Sequence, residues 1–214
     1  MEDKDIKDRI LKGAEELFLK YSVRSVSMDD IARHLSISKK TIYQYFADKD
    51  EIVTMVAAYH MEKDKTIFED IKSKAKNAVD ELVKVAECIK NDFQKMNPSV
   101  LHDLQKYHVK AWNVWLDHKH NHVRESIISN LRQGIEEGYF RPEINAEILG
   151  NARLELIQLT FDDRVFSSSK HSLAEVNQQI FEHFAYGLLT DKGRKIYEKY
   201  KHESINNDLI PNNK

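Results

Sequence analysis

The chain has 214 residues, of which 41% are hydrophobic and 32% charged, and its formal net charge is −2. This size and balance predict a soluble globular protein with one sizeable core or two smaller ones. The nearly neutral charge argues against a protein that coats nucleic acid indiscriminately, but it allows a local basic patch.

Helix is the favoured secondary structure throughout. Six glycines and three prolines are few for a sheet protein rich in turns, whereas stretches of Glu, Lys, Leu, Ile and Ala favour helix. Cys88 is the single cysteine, so one chain can form neither a disulfide nor a thiolate metal cluster. The charged N-terminus lacks the core of a signal peptide, and no apolar run approaches a membrane span. We therefore expect an all-α cytoplasmic protein with no membrane partner and no cofactor.

Three short helices are predicted at the N-terminal end. From about residue 5 to residue 21, apolar residues keep a helical period, which predicts a first helix that covers the next two. Ser27 and Asp30 form a capping pair, so a second helix begins near Met28. Ser38 is the N-cap candidate of a third helix, in which Ile42 and Phe46 would be the inward anchors.

The third helix leaves a polar and cationic face outside. That face comprises Lys39, Lys40, Thr41, Tyr43, Gln44 and Tyr45. Ammonium, amide, hydroxyl and phenol groups suit contact with phosphates and base edges of DNA. The alternative is an ordinary helical hairpin with a solvated basic face.

The order of residues from Phe18 to Ile52 resembles the DNA-binding domain of TetR-type transcriptional regulators. The family signature is matched at nearly every position, by Val26-Ser27-Met28, Ile31-Ala32, Ser36-Ile37-Ser38, Tyr43-Gln44-Tyr45-Phe46 and Lys49-Asp50-Glu51-Ile52. Ser22 and Ser36 depart from it, because the family often has glycine at both positions. A serine there would either be strained or need another turn geometry.

The resemblance implies a helix-turn-helix domain over residues 1–50 and a helical regulatory and dimerisation domain over residues 51–202, with about nine or ten helices in all. Asp48 and Glu51 mark the start of the long helix that would link the two domains. The Asn-rich segment 203–214 is predicted to be a disordered tail. The candidate DNA contacts are Ser27 and, for phosphates, Ser38, Lys39, Tyr43, Tyr45 and Lys49, with Lys40, Thr41 and Gln44 for base edges.

Two features follow the long helix and a further helix over residues 78–96. An aromatic stripe lies in a single predicted helix from Pro98 to about Asp117, and it includes Tyr107, His108, Trp112 and Trp115. The stripe is either plain core or, as the resemblance implies, the wall of a pocket for a small-molecule effector. His118 and His122 are spaced for a metal site, but a solvated connector is the favoured interpretation.

Two more long helices are predicted near the C-terminal end, beyond a helix that Gly138 ends. Asn145 caps the first, and Ser172 with Glu175 opens the second. Both are apolar over more than one narrow face, which suggests a partner. The resemblance implies a homodimer on a palindromic DNA operator, with interface candidates Leu156, Leu159, Val176, Ile180 and Phe184.

The sequence thus predicts a sequence-specific DNA-binding regulator, by family habit a repressor released by a ligand, and not an enzyme. One alternative is a helical interaction protein whose hairpin is only structural. A small helical enzyme is disfavoured, because the chain has no Gly-rich phosphate loop, no G-x-S-x-G and no H-E-x-x-H sequence.

Overall fold

The computed structural model describes residues 2–208, and side chains over residues 4–203. This part of the chain is all-α, as predicted, with an isolated bridge between Phe140 and Leu189 and no strand. Eleven α-helices are present: α1 (Glu2–Tyr21), α2 (Met28–Leu35), α3 (Lys39–Tyr45), α4 (Lys49–Lys74), α5 (Ala78–Phe93), α6 (Val100–Tyr107), α7 (Val109–His118), α8 (Arg124–Glu136), α9 (Ala146–Leu159), α10 (Leu173–Leu188) and α11 (Asp191–Asp208). None of the described helices is long and apolar enough to cross a membrane.

The five N-caps that the sequence predicts are confirmed. In each case the oxygen of a polar side chain accepts a hydrogen bond from a backbone N–H group in the first turn of the helix. Such an N–H group has no acceptor within the helix itself. The capping residues are Ser27 for α2, Ser38 for α3, Asp48 for α4, Asn145 for α9 and Ser172 for α10.

Three predictions about helix continuity are wrong. The single helix expected from Pro98 breaks into α6 and α7 at His108, whose φ of −135° and ψ of 67° are not helical. The connector expected after Asp117 is a π-helical turn, Lys119–Val123, that continues α7 into α8, and the His118 and Lys119 side chains are buried. At the C-terminal end, α11 includes residues 203–208 of the expected disordered tail, and residues 209–214 lie outside the described part.

Two hydrophobic clusters form the core. The first joins α1, α2, α3 and the N-terminal half of α4, and it also includes Val100, Leu104 and Ala111 of α6 and α7. The second joins α5, α8, α10 and α11 around the fully buried Phe140 and Leu188. The helices of the predicted DNA-binding domain therefore share their core with α6 and α7.

Ser22 and Ser36 adopt the left-handed backbone conformation that glycine favours, with φ values of 76° and 54°. The Ser22 N–H donates to the Phe18 carbonyl and closes α1. At the end of α2, the Ser36 and Ile37 N–H groups donate to the carbonyls of Arg33 and Ala32, which is the Schellman pattern. The sequence left two alternatives for these serines, a strained backbone or another turn geometry. The structure has the strained backbone.

Replacing Ser36 by glycine is expected to raise the free energy of unfolding by about 1 kcal/mol, because glycine adopts positive φ without a Cβ clash. Urea denaturation measures the change. Ser99→Gly is the matched control, since Ser99 has a φ of −77° and glycine there only adds freedom to the unfolded chain. A Ser36→Gly protein no more stable than the unmodified chain would contradict the strain.

Candidate nucleic-acid interface

Helix α2 begins with a pair of reciprocal hydrogen bonds between Ser27 and Asp30. The Ser27 N–H donates to Asp30 Oδ2 at 2.9 Å, and the Asp30 N–H donates to Ser27 Oγ at 3.2 Å. The Ser27 hydroxyl also donates to Asp30 Oδ2 at 2.6 Å, and this bond, together with the one from the Ser27 N–H, lowers the pKa of Asp30. Met28, Ile31 and Ala32 bury the inner side of the helix. The predicted capping box and apolar face of α2 are confirmed.

The third helix is anchored by two side chains on its inner side. Ile42 is fully buried and Phe46 is 2% exposed, while Ser38 Oγ caps the helix by accepting the Thr41 N–H at 3.0 Å. The opposite face is open to solvent: Lys39, Lys40, Tyr43 and Gln44 are exposed, and Thr41 and Tyr45 are half-buried. The predicted orientation of α3 is therefore confirmed.

The charges on this face differ in their surroundings. Lys39 Nζ lies 2.8 Å from Asp29 Oδ2, and this hydrogen bond raises the pKa of the ammonium. Arg33 contacts Asp30 at 3.3 Å. Both pairs are solvent-exposed and therefore weak, so a phosphate oxygen can compete with the carboxylates. Lys40 is exposed next to Lys39, and the two ammonium groups give the start of α3 a positive field.

Lys49 has an internal contact that its predicted role does not include. Its Nζ donates to the Val23 carbonyl at 2.6 Å and lies 5.9 Å from the centre of the Phe18 ring. Burial lowers the pKa of Lys49, although the charges of Asp103 and Asp30 partly oppose the effect. The side chain thus fastens the first turn of α4 to the loop between α1 and α2.

Two further contacts tie α4 to its neighbours. His60 Nδ1 lies 2.6 Å from the buried Glu15 of α1, and His108 Nδ1 lies 2.8 Å from Asp50. Burial alone would lower the pKa of His60, but the bond to Glu15 and the charge of Asp64 outweigh it, so the pKa is raised. These pairs fix α4 against α1 on one side and against the α6–α7 break on the other.

The loop between α1 and α2 also contacts α6, through Arg24, which no sequence pattern indicated. The Arg24 N–H donates to Asp103 Oδ2 at 2.9 Å, and its guanidinium donates to the Tyr107 hydroxyl at 3.1 Å. These partners are 79 and 83 residues away along the chain, so no local pattern could reveal them.

The four pocket candidates lie in different surroundings. Tyr107 contacts Arg24, and His108 contacts Asp50, so both face the helix-turn-helix side. Trp112 lines a groove of about 1130 Å³ between α6, α7, α9 and α10. The indole nitrogen of Trp115 is buried and has no hydrogen-bond partner among the described residues.

The five candidates for a dimer interface differ in how exposed they are in the single chain. Val176 is 7% exposed within the single chain, and Phe184 lines an internal cavity. Leu156 and Ile180 are half-buried, and Leu159 is 36% exposed. The last three remain accessible to a partner chain.

Comparison with known proteins agrees with this arrangement. Residues 10–56 match the family model of bacterial regulatory proteins, tetR family. The chain is 24% identical over 169 residues to the HTH-type transcriptional regulator YvaF of Bacillus subtilis, covering 78% of this chain and 88% of YvaF. It is 22% identical over 143 residues to the HTH-type transcriptional repressor KstR2 of Mycobacterium tuberculosis, covering 65% of this chain and 72% of KstR2.

The similarity in fold extends beyond the helix-turn-helix. A putative transcriptional regulator from Saccharomonospora viridis, solved in complex with choline, has a TM-score of 0.72 and 18% identity, and the match covers 87% of this chain and 99% of that one. A helix-turn-helix with an exposed cationic helix, joined by α4 to a second bundle, is the arrangement of a helix-turn-helix DNA-binding domain linked to a larger helical domain. Residues 10–56 thus match the tetR family, and the fold of the chain resembles that of solved transcriptional regulators.

Replacing Lys49 by methionine is expected to lower the free energy of unfolding by about 1–3 kcal/mol, because the Val23 carbonyl loses a charged donor. Chemical denaturation checks this, with the exposed Lys110→Met as the control. If Lys49 also binds phosphate, the slope of log affinity against log salt falls by about 1 for every DNA sequence. An unchanged unfolding free energy would contradict the structural role.

Proposed function

We propose that this protein is a repressor that acts as a homodimer on a palindromic operator and leaves the DNA when a small molecule binds to its larger helical bundle. The observation that supports DNA reading is the outer face of α3, where Lys40 and Gln44 are exposed one turn apart. Lysine suits guanine O6 and N7, and glutamine suits adenine N6 and N7.

The other polar groups of the interface suit the DNA backbone. Ser38, Lys39 and Tyr43 surround the start of α3 and are exposed. We assign them, with Tyr45 and the exposed Ser27 at the start of α2, to phosphates, and Thr41 to a thymine methyl or a phosphate. Phosphate contacts fix the register of the protein on the duplex, whereas base contacts provide sequence preference.

The proposed dimer uses α9 and α10. Ile148 is 64% exposed and Leu159 is 36% exposed on α9, which leaves apolar surface without cover in the single chain. On α10, Gly187 has open space where a Cβ would project, so a partner helix could approach closely. Two-fold symmetry would place two copies of α3 on half-sites about 34 Å apart, or a multiple of that distance.

Relatives support repression and ligand control. KstR2 is described as a repressor, and the Saccharomonospora viridis regulator was solved with choline bound. In this chain, α4 begins three residues after Phe46 and continues to Lys74, and its Phe68 lines a cavity in the larger bundle. A shift of α4 in that bundle would therefore move α3 and change the spacing between the two recognition helices.

The alanine variant of Gln44 is expected to weaken operator binding by about 1–3 kcal/mol, with the loss confined to one base position per half-site. Fluorescence anisotropy with DNA from upstream of the protein's own gene measures it, and single-base variants of that DNA locate the position. Gln94→Ala, at an exposed glutamine in the bundle, is the matched control.

The same titration distinguishes a sequence-specific regulator from the alternative, a helical interaction protein whose helix-turn-helix is only structural. A helical interaction protein would bind this DNA only at very low salt and without sequence preference, because phosphate contacts alone depend steeply on salt. Equal loss of affinity by Gln44→Ala on all base variants would contradict base reading by Gln44.

A glutamate in place of Leu159 is expected to shift the protein from dimer to monomer, since it places a charge in an apolar interface. Sedimentation velocity measures the mass, and operator affinity should fall with it. Val109→Glu is the control, because Val109 is 63% exposed at the start of α7 and so belongs to neither helix of the proposed interface. A Leu159→Glu protein that stays dimeric would exclude α9 from the interface.

A further inference from the structure

An arginine lies inside the larger helical bundle without a counter-charge. Arg153 of α9 is 3% exposed, and its Nη1 is buried with no hydrogen-bond partner among the described residues. Its guanidinium lies 5.3 Å from the Phe181 ring centre and 5.7 Å from that of Phe184. Burial lowers the pKa of Arg153 to about 10, so the group remains charged at neutral pH.

Arg153 lines a largely apolar cavity of about 80 Å³. Helix α4 contributes Phe68 to the walls, α5 contributes Leu82 and Ile89, and α8 contributes Ile127. Since a water molecule occupies about 30 Å³ in the liquid, the space fits a small group of a few heavy atoms. The apolar walls offer few partners to water, whereas they suit a hydrocarbon chain or ring.

The one acidic group in the lining does not neutralise Arg153. Glu81 is 3% exposed, and burial raises the pKa of its carboxyl, while a hydrogen bond with Asn130 partly opposes this. Among the described residues no ion pair joins Glu81 to Arg153, and burial alone accounts for the pKa change of the arginine. The site therefore lacks one negative charge beside the guanidinium.

We propose that this cavity binds a small carboxylate with an apolar body, whose carboxylate pairs with Arg153 between Phe181 and Phe184. The two rings lie near the guanidinium, and a planar carboxylate can accept hydrogen bonds from its N–H donors. This inference rests on the proposed function, because it names the class of effector that the regulator would detect.

The position of the cavity suits an effector site. Phe68 belongs to α4, and Val123 belongs to the π-helical turn that joins α7 to α8; both also line a groove of about 750 Å³ that reaches the surface. Turns of this kind are frequent at functional sites. The choline bound by the Saccharomonospora viridis regulator is a cation, which an unpaired buried arginine would repel. The two regulators are therefore expected to detect ligands of opposite charge.

Calorimetry of the full chain without DNA tests the site directly. Propionate, butyrate and isobutyrate, which have a few heavy atoms each, are titrated at up to millimolar concentration beside 1-propanol, 1-butanol and isobutanol. At least one carboxylate is expected to bind at least tenfold more tightly than its alcohol and to raise the Tm. Arg153→Met should lose that preference, and Arg164→Met should keep it, since the Arg164 side chain is 89% exposed.

Two further measurements separate a failed ligand site from a misfolded variant and from a failed regulator function: the Tm of the Arg153 variants and operator binding without ligand. Arg153→Met is expected to fold with an unchanged or higher Tm, because it removes an unpaired buried charge; Arg153→Gln provides a second variant if methionine disturbs packing. The proposal is overturned if no carboxylate binds, or if the alcohols or the Arg153 variants bind equally well. Operator binding measured without ligand tests the regulator function separately, so either can fail without the other.

Discussion

The arrangement of this protein depends on one continuous helix that runs from the first hydrophobic cluster to a cavity in the larger bundle. Helix α4 has 26 residues, which corresponds to about 39 Å at 1.5 Å per residue. Ile52, Val53, Val56 and Ala57 fill the core beneath the recognition helix, and Phe68, three turns further on, lines the cavity in the second bundle. No flexible linker separates the two ends. A displacement at one end must therefore be shared by the other or absorbed by bending.

The first turns of α4 are fastened more firmly than packing alone requires. Lys49 donates to the Val23 carbonyl, Asp50 contacts His108, and His60 contacts Glu15. The first contact reaches the loop before α2, the second the α6–α7 break, and the third α1. The first and third contacts join the helix-turn-helix to α4, so the two are expected to move together, whereas the second joins α4 to the larger bundle. Under the proposed function, ligand binding would accordingly change the spacing of two rigid readers rather than deform them.

The local features of this fold were predictable from sequence because their causes are local. A cap such as Ser38 is determined by one side chain and an N–H three residues away, and the inward position of Ile42 and Phe46 follows from helical spacing. The strained turns at Ser22 and Ser36 were indicated by comparing the chain with a family pattern that has glycine there. In both cases the residues that determine the feature lie within a few positions of each other in the sequence.

The errors arise where distant segments meet. The helix expected across His108 breaks where that side chain reaches Asp50, 58 residues away. The aromatic stripe has a helical period, but its residues lie in different surroundings. Tyr107 and His108 contact the helix-turn-helix side, Trp112 lines the groove between α6, α7, α9 and α10, and the indole nitrogen of Trp115 is buried. The break at His108 separates the stripe into two helices. Arg153 was not indicated by the sequence, because an arginine is ordinarily exposed whatever its position on a helix; the packing of α9 with α4, α5, α8 and α10 buries it.

An unpaired buried arginine also bears on how strongly a ligand could control DNA binding. A ligand shifts an equilibrium only by the difference in its affinity for the two conformations. Changing a population from 1:99 to 99:1 needs about 5.5 kcal/mol, whereas one charge-assisted hydrogen bond provides about 1.5–3 kcal/mol. A symmetric dimer has two such cavities, so two ligands that bind only the DNA-free spacing would together provide about 3–6 kcal/mol from this contact. The proposed homodimer and the proposed anion site thus support each other, since neither cavity alone would suffice for a sharp switch.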